Sequence, residues 1–324
     1  MTKIAVTELE YKKARAVFDS NPNFKVTSAP ADENRLAQLV KAESIKHVVI
    51  GVEKYEQALY DALPKGGVIA RFGVGHDGVD KQKATEKGLF CTNTPGALDD
   101  SVAEHAFNLI LAAARHTVAI GSKMLNSNWA PVVGSELKGK TLAVIGLGPI
   151  GRRVAQLAAF GFQMKVIASE VQEVDPLQML KEYGVERIEN SFEAAVANAD
   201  FISLHIPVNA HTKHFINSKS LKAISPNSWL INTSRGTIVN ENDLYDALLN
   251  GKIKGAALDV FEIEPYQPLQ QGKDLRALSN IIMTPHVGSS TVEASDRMAQ
   301  QCLDNILLAE KGEYMKMNLL NQPL

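Results

Sequence analysis

Thr141–Gly151 reads TLAVIGLGPIG, and the way this stretch is interpreted decides the fold. A short apolar run with strand character ends in three spaced glycines and opens into a helical pattern. Gly146 permits a tight turn, and Gly148 removes the side chain that would keep a pyrophosphate from the backbone. Gly151 lets the following helix pack closely on the strand. Pro149 suits a helix start, where its missing N–H would have been unpaired anyway. Amide hydrogens and the helix dipole at that end favour a phosphate anion. The next apolar run, MKVIA, ends at Ser169 and Glu170. An acidic residue about 20 positions beyond such a loop is where a ribose hydroxyl needs its acceptor.

Working outward, the loop begins a series of apolar runs separated by helical stretches: KTLAVIG, MKVIASE, ADFISLHIP, NSWLINTS, KGAALDV and NIIMTPH. Roughly six strands with apolar centres suit a parallel sheet buried on both faces. The first hundred residues alternate in the same way, through KIAVTE, a polar helix over Asp32 to Glu43, HVVIG, a helix near Tyr55 to Ala62, GVIARFG and LFCTNTP. Parallel strands need a crossover of about a dozen residues, and these spacers supply it. From Asp99, SVAEHAFNLILAAARHTVAIGSKML runs without proline and reads as one long helix behind an Asp-Asp-Ser cap. A second long amphipathic helix follows Thr291. The expectation is an α/β chain of two doubly wound parallel-sheet domains. A Rossmann nucleotide-binding domain over 98–290 is inserted into a discontinuous, flavodoxin-like domain formed by 1–97 and 291–324.

Composition excludes several function classes. The chain has 324 residues, 45% hydrophobic and 22% charged, which suits two compact domains of a soluble protein. A formal net charge of -2 without a basic block gives no electrostatic footprint for nucleic acid or an anionic membrane, so neither partner is expected. Cys91 and Cys302 are the two cysteines, far apart and without a CxxC, so no disulfide framework or zinc site is indicated. The N-terminal MTKIAVTELE enters a strand at once, and no run of about 18 apolar residues occurs, which argues for a cytoplasmic protein. His205, His211 and His214 cluster in HIPVNAHTKH but lack a carboxylate or thiolate at ligand spacing. They are read as surface polarity, and no metal is expected.

Three polar residues in the second half mark the chemistry: Arg235 in NTSRGT, Glu264 in LDVFEIEP and His286 in MTPHVGSS. Each sits where an apolar run gives way to a turn, so three strands could deliver a cation, a carboxylate and an imidazole to one crevice. Singly, each has a bland reading: an ion pair, a cap near Pro265, a loop histidine. Together and in this order they form a catalytic constellation.

The motifs GVGHDGVD, NTPG, SVAEHA, GLGPIG, HIPV, NTSRGTIVNENDLYDAL, GAALDVFEIEP and TPHVGSST, in this order and spacing, resemble the D-isomer-specific 2-hydroxyacid dehydrogenases, especially their phosphoglycerate dehydrogenase-like branch. The resemblance spans nearly the whole chain. It implies an oxidoreductase that binds NAD in the inserted domain and transfers a hydride to or from a small D-2-hydroxy or 2-oxo acid, usually as a homodimer. The family's catalytic residues fall on Arg235, Glu264 and His286. That assignment agrees with the chemistry. A planar guanidinium can hold a carboxylate and the adjacent carbonyl together, an imidazolium can protonate the alkoxide left by hydride transfer, and a carboxylate beside it fixes its tautomer.

By the same resemblance, cofactor contacts fall on Gly146, Gly148, Pro149, Ile150 and Gly151, on Glu170 at the ribose, and on Pro207 by the adenine. They continue through Thr233, Ser234 and Arg235, Asp259 near the carboxamide, and His286 to Gly288. Substrate contacts fall on Val74 and Gly75, whose amides would receive the carboxylate, with Asn93 nearby and Arg235 opposite. Asp77 and Asp80 are read as turn-stabilising. Where phosphoglycerate dehydrogenases carry a phosphate-binding arginine, this chain reads Gly51, Val52, Glu53, which speaks against a phosphorylated substrate. The chain stops at Leu324 without the additional regulatory domain of some relatives, so serine feedback is not expected. Two alternatives stay open at this level. One is a formate- or phosphite-type dehydrogenase, although the formate branch pairs its histidine with glutamine rather than glutamate. The other is an NAD(H)-sensing protein of the corepressor type.

Overall fold

The structure is a computed structural model that describes residues 1–323. The chain forms two compact units, one made of Met1–Leu98 together with the segment from Ser289 onward, the other of Asp99–Gly288. Among the described residues, no helix is long and apolar enough to cross a membrane.

The first unit is built on a five-stranded sheet of β1 (Thr2–Thr7), β2 (Phe24–Ala29), β3 (His47–Ile50), β4 (Val68–Arg71) and β5 (Phe90–Thr92), in the order β2-β1-β3-β4-β5. All pairs are parallel. β3 and β4 are buried along their whole length, which is why HVVI and VIAR read as near-continuous apolar runs. β2 has no counterpart among the strands read from the sequence. It lies at an edge, its Lys25 and Ser28 are exposed, and only Phe24 and Ala29 are fully buried. The helix Glu33–Glu43 starts at Asp32, whose side chain accepts from the Arg35 N–H. The helix Val292–Glu310 starts at Thr291, whose hydroxyl accepts from the Ala294 N–H at 3.1 Å. Its buried stripe of Met298, Ala299, Cys302, Leu303 and Ile306 has the spacing of one helical face.

The second unit holds seven parallel strands: β6 (Thr141–Ile145), β7 (Lys165–Ser169), β8 (Val185–Glu189), β9 (Phe201–Leu204), β10 (Trp229–Asn232), β11 (Gly255–Leu258) and β12 (Ile281–Met283). Their order is β12-β11-β10-β9-β6-β7-β8. β8 exceeds the roughly six strands expected from apolar runs, because VERIE is a polar edge strand. Strand order reverses between β6 and β9, and ligands of doubly wound sheets bind outside the carboxyl ends at such a switch point. Two cores cover the sheet. Leu142, Val144 and Val166 pack with Ala106 and Ile110, and Ala143, Ile145, Ile202 and Leu230 face the other way. Truncating a fully buried side chain such as Ile110 to alanine costs about 2–5 kcal/mol.

The stretch after Asp99, expected as one helix, is two: Asp99–Arg115 and Thr117–Leu125. They are separated by His116 in the left-handed region at φ 54. The first buries Val102, Ala106, Leu109, Ile110 and Ala113, whereas the second buries nothing.

Candidate active site

The glycine loop sits at the carboxyl end of β6. Gly146 has φ 97, and a Cβ there would lie 2.6 Å from the His205 carbonyl oxygen; one at Gly151 would lie 2.0 Å from the Gly146 oxygen. Both positions are closed to any side chain. At Gly148 an added Cβ would meet nothing within 4 Å, so the space in front of this residue is open. Gly148 caps the helix Pro149–Gln156, with Pro149 and Ile150 in its first turn. Glu170 stands beside the loop because Ser169 is in register with Ile145. One of its carboxylate oxygens accepts from the Leu147 N–H at 2.6 Å; the other accepts from Val171 and Gln172 at 2.7 and 2.9 Å. Thr233, at the end of β10, is 8% exposed, and its buried hydroxyl has no hydrogen-bond partner among the described residues. An open approach at Gly148, an acceptor at Glu170 and an orphaned hydroxyl at Thr233 fit a dinucleotide. Pro207 is exposed just past β9, and its carbonyl accepts from Thr212 at 2.6 Å.

Arg235 follows β10 on a tight turn. The Asn232 side chain donates to the Arg235 carbonyl at 2.9 Å and accepts from the Ser234 N–H at 3.0 Å. The Ser234 hydroxyl donates to the Leu204 carbonyl, and the Arg235 guanidinium donates to the Ser234 carbonyl at 2.7 Å. A Cβ at Gly236 would fall 1.9 Å from the Phe261 carbonyl carbon. The arginine turn therefore presses against the 261–262 backbone, and only glycine fits there.

Glu264 and His286 meet directly, with His286 Nδ1 2.7 Å from Glu264 Oε2. The other Glu264 oxygen accepts from the Phe261 N–H at 2.9 Å, so this carboxylate both caps its own turn and holds the imidazole. His286 adopts φ 52, a conformation uncommon for a residue with a side chain, and its N–H donates to the Asp259 carbonyl at 2.8 Å.

Asp259 organises the backbone around His286. Its carboxylate accepts from the Thr284 hydroxyl at 2.6 Å, from Val287 N–H at 2.9 Å and from Gly288 N–H at 2.8 Å, and His105 Nε2 lies 3.3 Å away. Burial opposes the charge of Asp259, but these donors outweigh it and hold the carboxyl below its ordinary range.

A further carboxylate cluster lies beside the Glu264 turn. His214 Nε2 is 2.7 Å from Glu262 Oε2, and Glu262 and Glu241 each accept the other's backbone N–H, at 3.1 and 2.6 Å. Burial, reinforced by the charges of Glu262 and Glu264, pushes Glu241 up to about 7. The His214 side chain is 35% exposed, and its carboxylate partner Glu262 is distant in sequence, outside the local ligand spacing considered for the HIPVNAHTKH cluster. His205 is half-buried, within 2.8 Å of the Ser203 hydroxyl, and burial pushes it down to about 4.

Val74, Gly75 and Asn93 belong to the other unit. The Asn93 amide donates to the Val74 carbonyl at 2.8 Å, which ties the β5 end to the turn after β4. Asp80 caps the helix Lys81–Glu86 by accepting from Lys83 N–H at 3.0 Å. Within the nucleotide-binding unit, Arg235, Asp259, Glu264 and His286 therefore all sit just beyond the carboxyl ends of β10, β11 and β12. Sequence reading missed His105, Thr284, Asn232, Glu241 and Glu262. The polar runs SVAEHA and NENDL carry two of them, but nothing local pairs His105 with residues beyond 250.

Residues 107–288 match the family described as "D-isomer specific 2-hydroxyacid dehydrogenase, NAD binding domain". The chain is 40% identical over 284 residues to a glyoxylate reductase of Thermococcus litoralis, covering 85% of this chain and 83% of that protein. It is 36% identical to a hydroxypyruvate reductase of Thermotoga maritima over 91% of this chain and 94% of the relative. Among solved structures it resembles an NADPH-dependent glyoxylate/hydroxypyruvate reductase of Sinorhizobium meliloti in complex with NADP and malonate. The TM-score is 0.78 at 30% identity, covering 95% of this chain and 93% of that one.

Proposed function

Because the chain belongs to the D-isomer-specific 2-hydroxyacid dehydrogenase family, we propose that it reduces a small, unphosphorylated 2-oxo acid of the glyoxylate or hydroxypyruvate type to the D-2-hydroxy acid, with NADH as preferred reductant. The observation that carries this reading is the 2.7 Å contact between His286 Nδ1 and Glu264 Oε2. With Nδ1 engaged by Glu264, Nε2 is the ring nitrogen assigned to exchange a proton with substrate. When bound, the nicotinamide supplies the hydride. Arg235 orients the substrate by holding its carboxylate and carbonyl oxygens on one planar fork. His286 Nε2 gives its proton to the carbonyl oxygen as negative charge develops there, and takes it back in the oxidation direction. Glu264 accepts from Nδ1 and so fixes the orientation of the ring.

Glu170 supports NAD over NADP, since its carboxylate would repel a 2′-phosphate. One unit-charge pair at 4 Å is worth about 1 kcal/mol in water and about 4 at an effective dielectric of 20, so the preference ranges from several-fold to about a thousandfold. Gly51, Val52 and Glu53, in place of a phosphate-binding arginine, support an unphosphorylated substrate. A homodimer is supported by the exposure of the large apolar side chains of Val118, Met124, Leu125, Trp129 and Val133, close together in sequence, which a subunit contact would cover. Light scattering on the purified protein tests that part. The activity is tested by NADH and NADPH oxidation with glyoxylate, hydroxypyruvate, pyruvate and phosphohydroxypyruvate. Turnover of glyoxylate or hydroxypyruvate with a higher kcat/KM for NADH is expected. No turnover of any of these acids contradicts the reading.

A further inference from the structure

Glu241 is the first residue of the helix Glu241–Leu249, a few residues past the turn of Arg235 and Gly236. A carboxylate at a helix start ordinarily lies in water, where its charge meets the free N–H groups of the first turn. Glu241 departs from that pattern. It is 5% exposed, and Asn240 caps the helix in its place by accepting from the Asp243 N–H at 3.1 Å. The Glu241 carboxyl reaches instead to the turn after β11, where one oxygen accepts from the Glu262 N–H at 2.6 Å. Glu262 answers by accepting from the Glu241 N–H at 3.1 Å, and its other oxygen lies 2.7 Å from His214 Nε2.

Side chain meets backbone in both directions, so neither segment shifts without losing both hydrogen bonds. A second contact acts on the same stretch. A Cβ at Gly236 would fall 2.5 Å from the Glu262 nitrogen, so the segment that carries Arg235 is fastened to 261–262 at two points, by close approach at Gly236 and by hydrogen bonding at Glu241. The Phe261 N–H donates in turn to Glu264, whose other oxygen meets His286. The contacts thus run without a gap from the helix start to the imidazole. Burial, with the charges of Glu262 and Glu264 added, pushes Glu241 up to about 7, and Tyr266 is the other titratable group that its charge reaches. Below that pH the group is a neutral acid, for which a glutamine amide is a close stand-in. Its second oxygen is buried without a partner among the described residues. An exposed acid at the helix start would avoid both costs, and the hold on the 262 amide is what burial secures.

We propose that Glu241 is a positioning residue for the proton-transfer pair: through the 261–262 backbone it sets where the Glu264 carboxylate, and with it the His286 ring, stands relative to the Arg235 turn. The inference rests on the reading of His286 as the proton donor. Glu241→Met fills nearly the same volume without an acceptor, Glu241→Ala removes the side chain beyond Cβ, and Glu241→Gln keeps an oxygen for the Glu262 N–H. Two readouts are taken on each. One is amide-resolved hydrogen exchange at Phe261, whose N–H is held by Glu264 and not by Glu241. The other is steady-state reduction of the oxo acid that wild type turns over, with NADH affinity and the unfolding midpoint measured alongside. In the Met and Ala variants Phe261 should exchange faster and kcat should fall about tenfold, with NADH affinity kept. Gln should restore both toward wild type. A role confined to stability would lower the midpoint and leave the kcat of the folded enzyme where it was. Unchanged Phe261 exchange in both the Met and Ala variants, or unchanged kcat in both, overturns the proposal. A wild type that turns over no oxo acid defeats the reading of the reaction instead, and Phe261 exchange then still decides whether Glu241 holds the Glu264 turn.

Discussion

His105 and Asp259 form one imidazole–carboxylate pair of the nucleotide-binding unit, His286 and Glu264 another. The side chains of the first are 15% and 2% exposed and lie 3.3 Å apart; those of the second are 29% and 31% exposed and lie 2.7 Å apart. Asp259 is saturated, taking the Thr284 hydroxyl and two backbone N–H groups besides the imidazole. Glu264 takes one backbone N–H and the imidazole. A carboxylate surrounded by donors stays charged and still, and serves to hold a backbone in place. One with a single fixed donor at a solvent-accessible edge can follow the charge of its partner. The difference between the scaffold pair and the proposed proton relay lies in burial and donor count rather than in residue type.

The comparison breaks most visibly in catalysis. His286→Ala should lower oxo-acid reduction by roughly a hundredfold to ten-thousandfold, the usual span for a positioned acid, with NADH affinity largely kept. His105→Ala, which removes a neighbour of Asp259 rather than a proton donor, should cost about tenfold or less on the same scale. Comparable losses in steady-state kcat/KM for the two variants would erase the distinction.

Stability should show the reverse order. Asp259→Asn leaves buried donors short of an acceptor and should cost about 1–3 kcal/mol. Glu264→Gln removes a partly exposed pair and should cost no more than about 1 kcal/mol. Urea unfolding monitored on the nucleotide-binding unit ranks the two. A larger loss for Glu264→Gln would mean that the relay is also the scaffold.

A pH-dependent effect concerns Glu241, a buried carboxyl next to Glu262. Its folded value lies near 7 against an ordinary 4.5, so its contribution to stability is fully present below pH 4.5 and is lost as pH rises through about 7. Glu241→Gln cannot ionise. The stability of wild type minus that of the variant should therefore fall across pH 4.5 to 7. Each kcal/mol of that fall lowers the relative midpoint by about 2–4 °C. A difference that stays flat with pH would place Glu241 in an ordinary solvated setting.

How much of this was legible depends on range along the chain. The loop from Gly146 to Gly151 and its strand could be read because every element of the signal is local, and the parallel sheets followed from apolar runs spaced by helices. β2 and β8 were not legible, since each is an edge strand with polar residues on an open face. The break at His116 was also hidden, because TVAIGSKML is apolar enough to continue a helix although nothing in its own unit buries it. Arg235, Glu264 and His286 stood out as polar residues at strand ends. The supports of Asp259 did not, because His105 reaches Thr284 across 179 residues of sequence. Glu262 drew no reading from the sequence, because its partner His214 lies far from it along the chain.

The proposed role of Glu264 is to hold the ring that protonates substrate. It is tested by kcat/KM for oxo-acid reduction in wild type and Glu264→Ala, with NADH affinity followed in parallel. Removing the acceptor beside Nδ1 releases the ring from its 2.7 Å contact, so kcat/KM should fall on the order of a hundredfold while NADH affinity is kept. Equal kcat/KM in the two proteins would contradict this role.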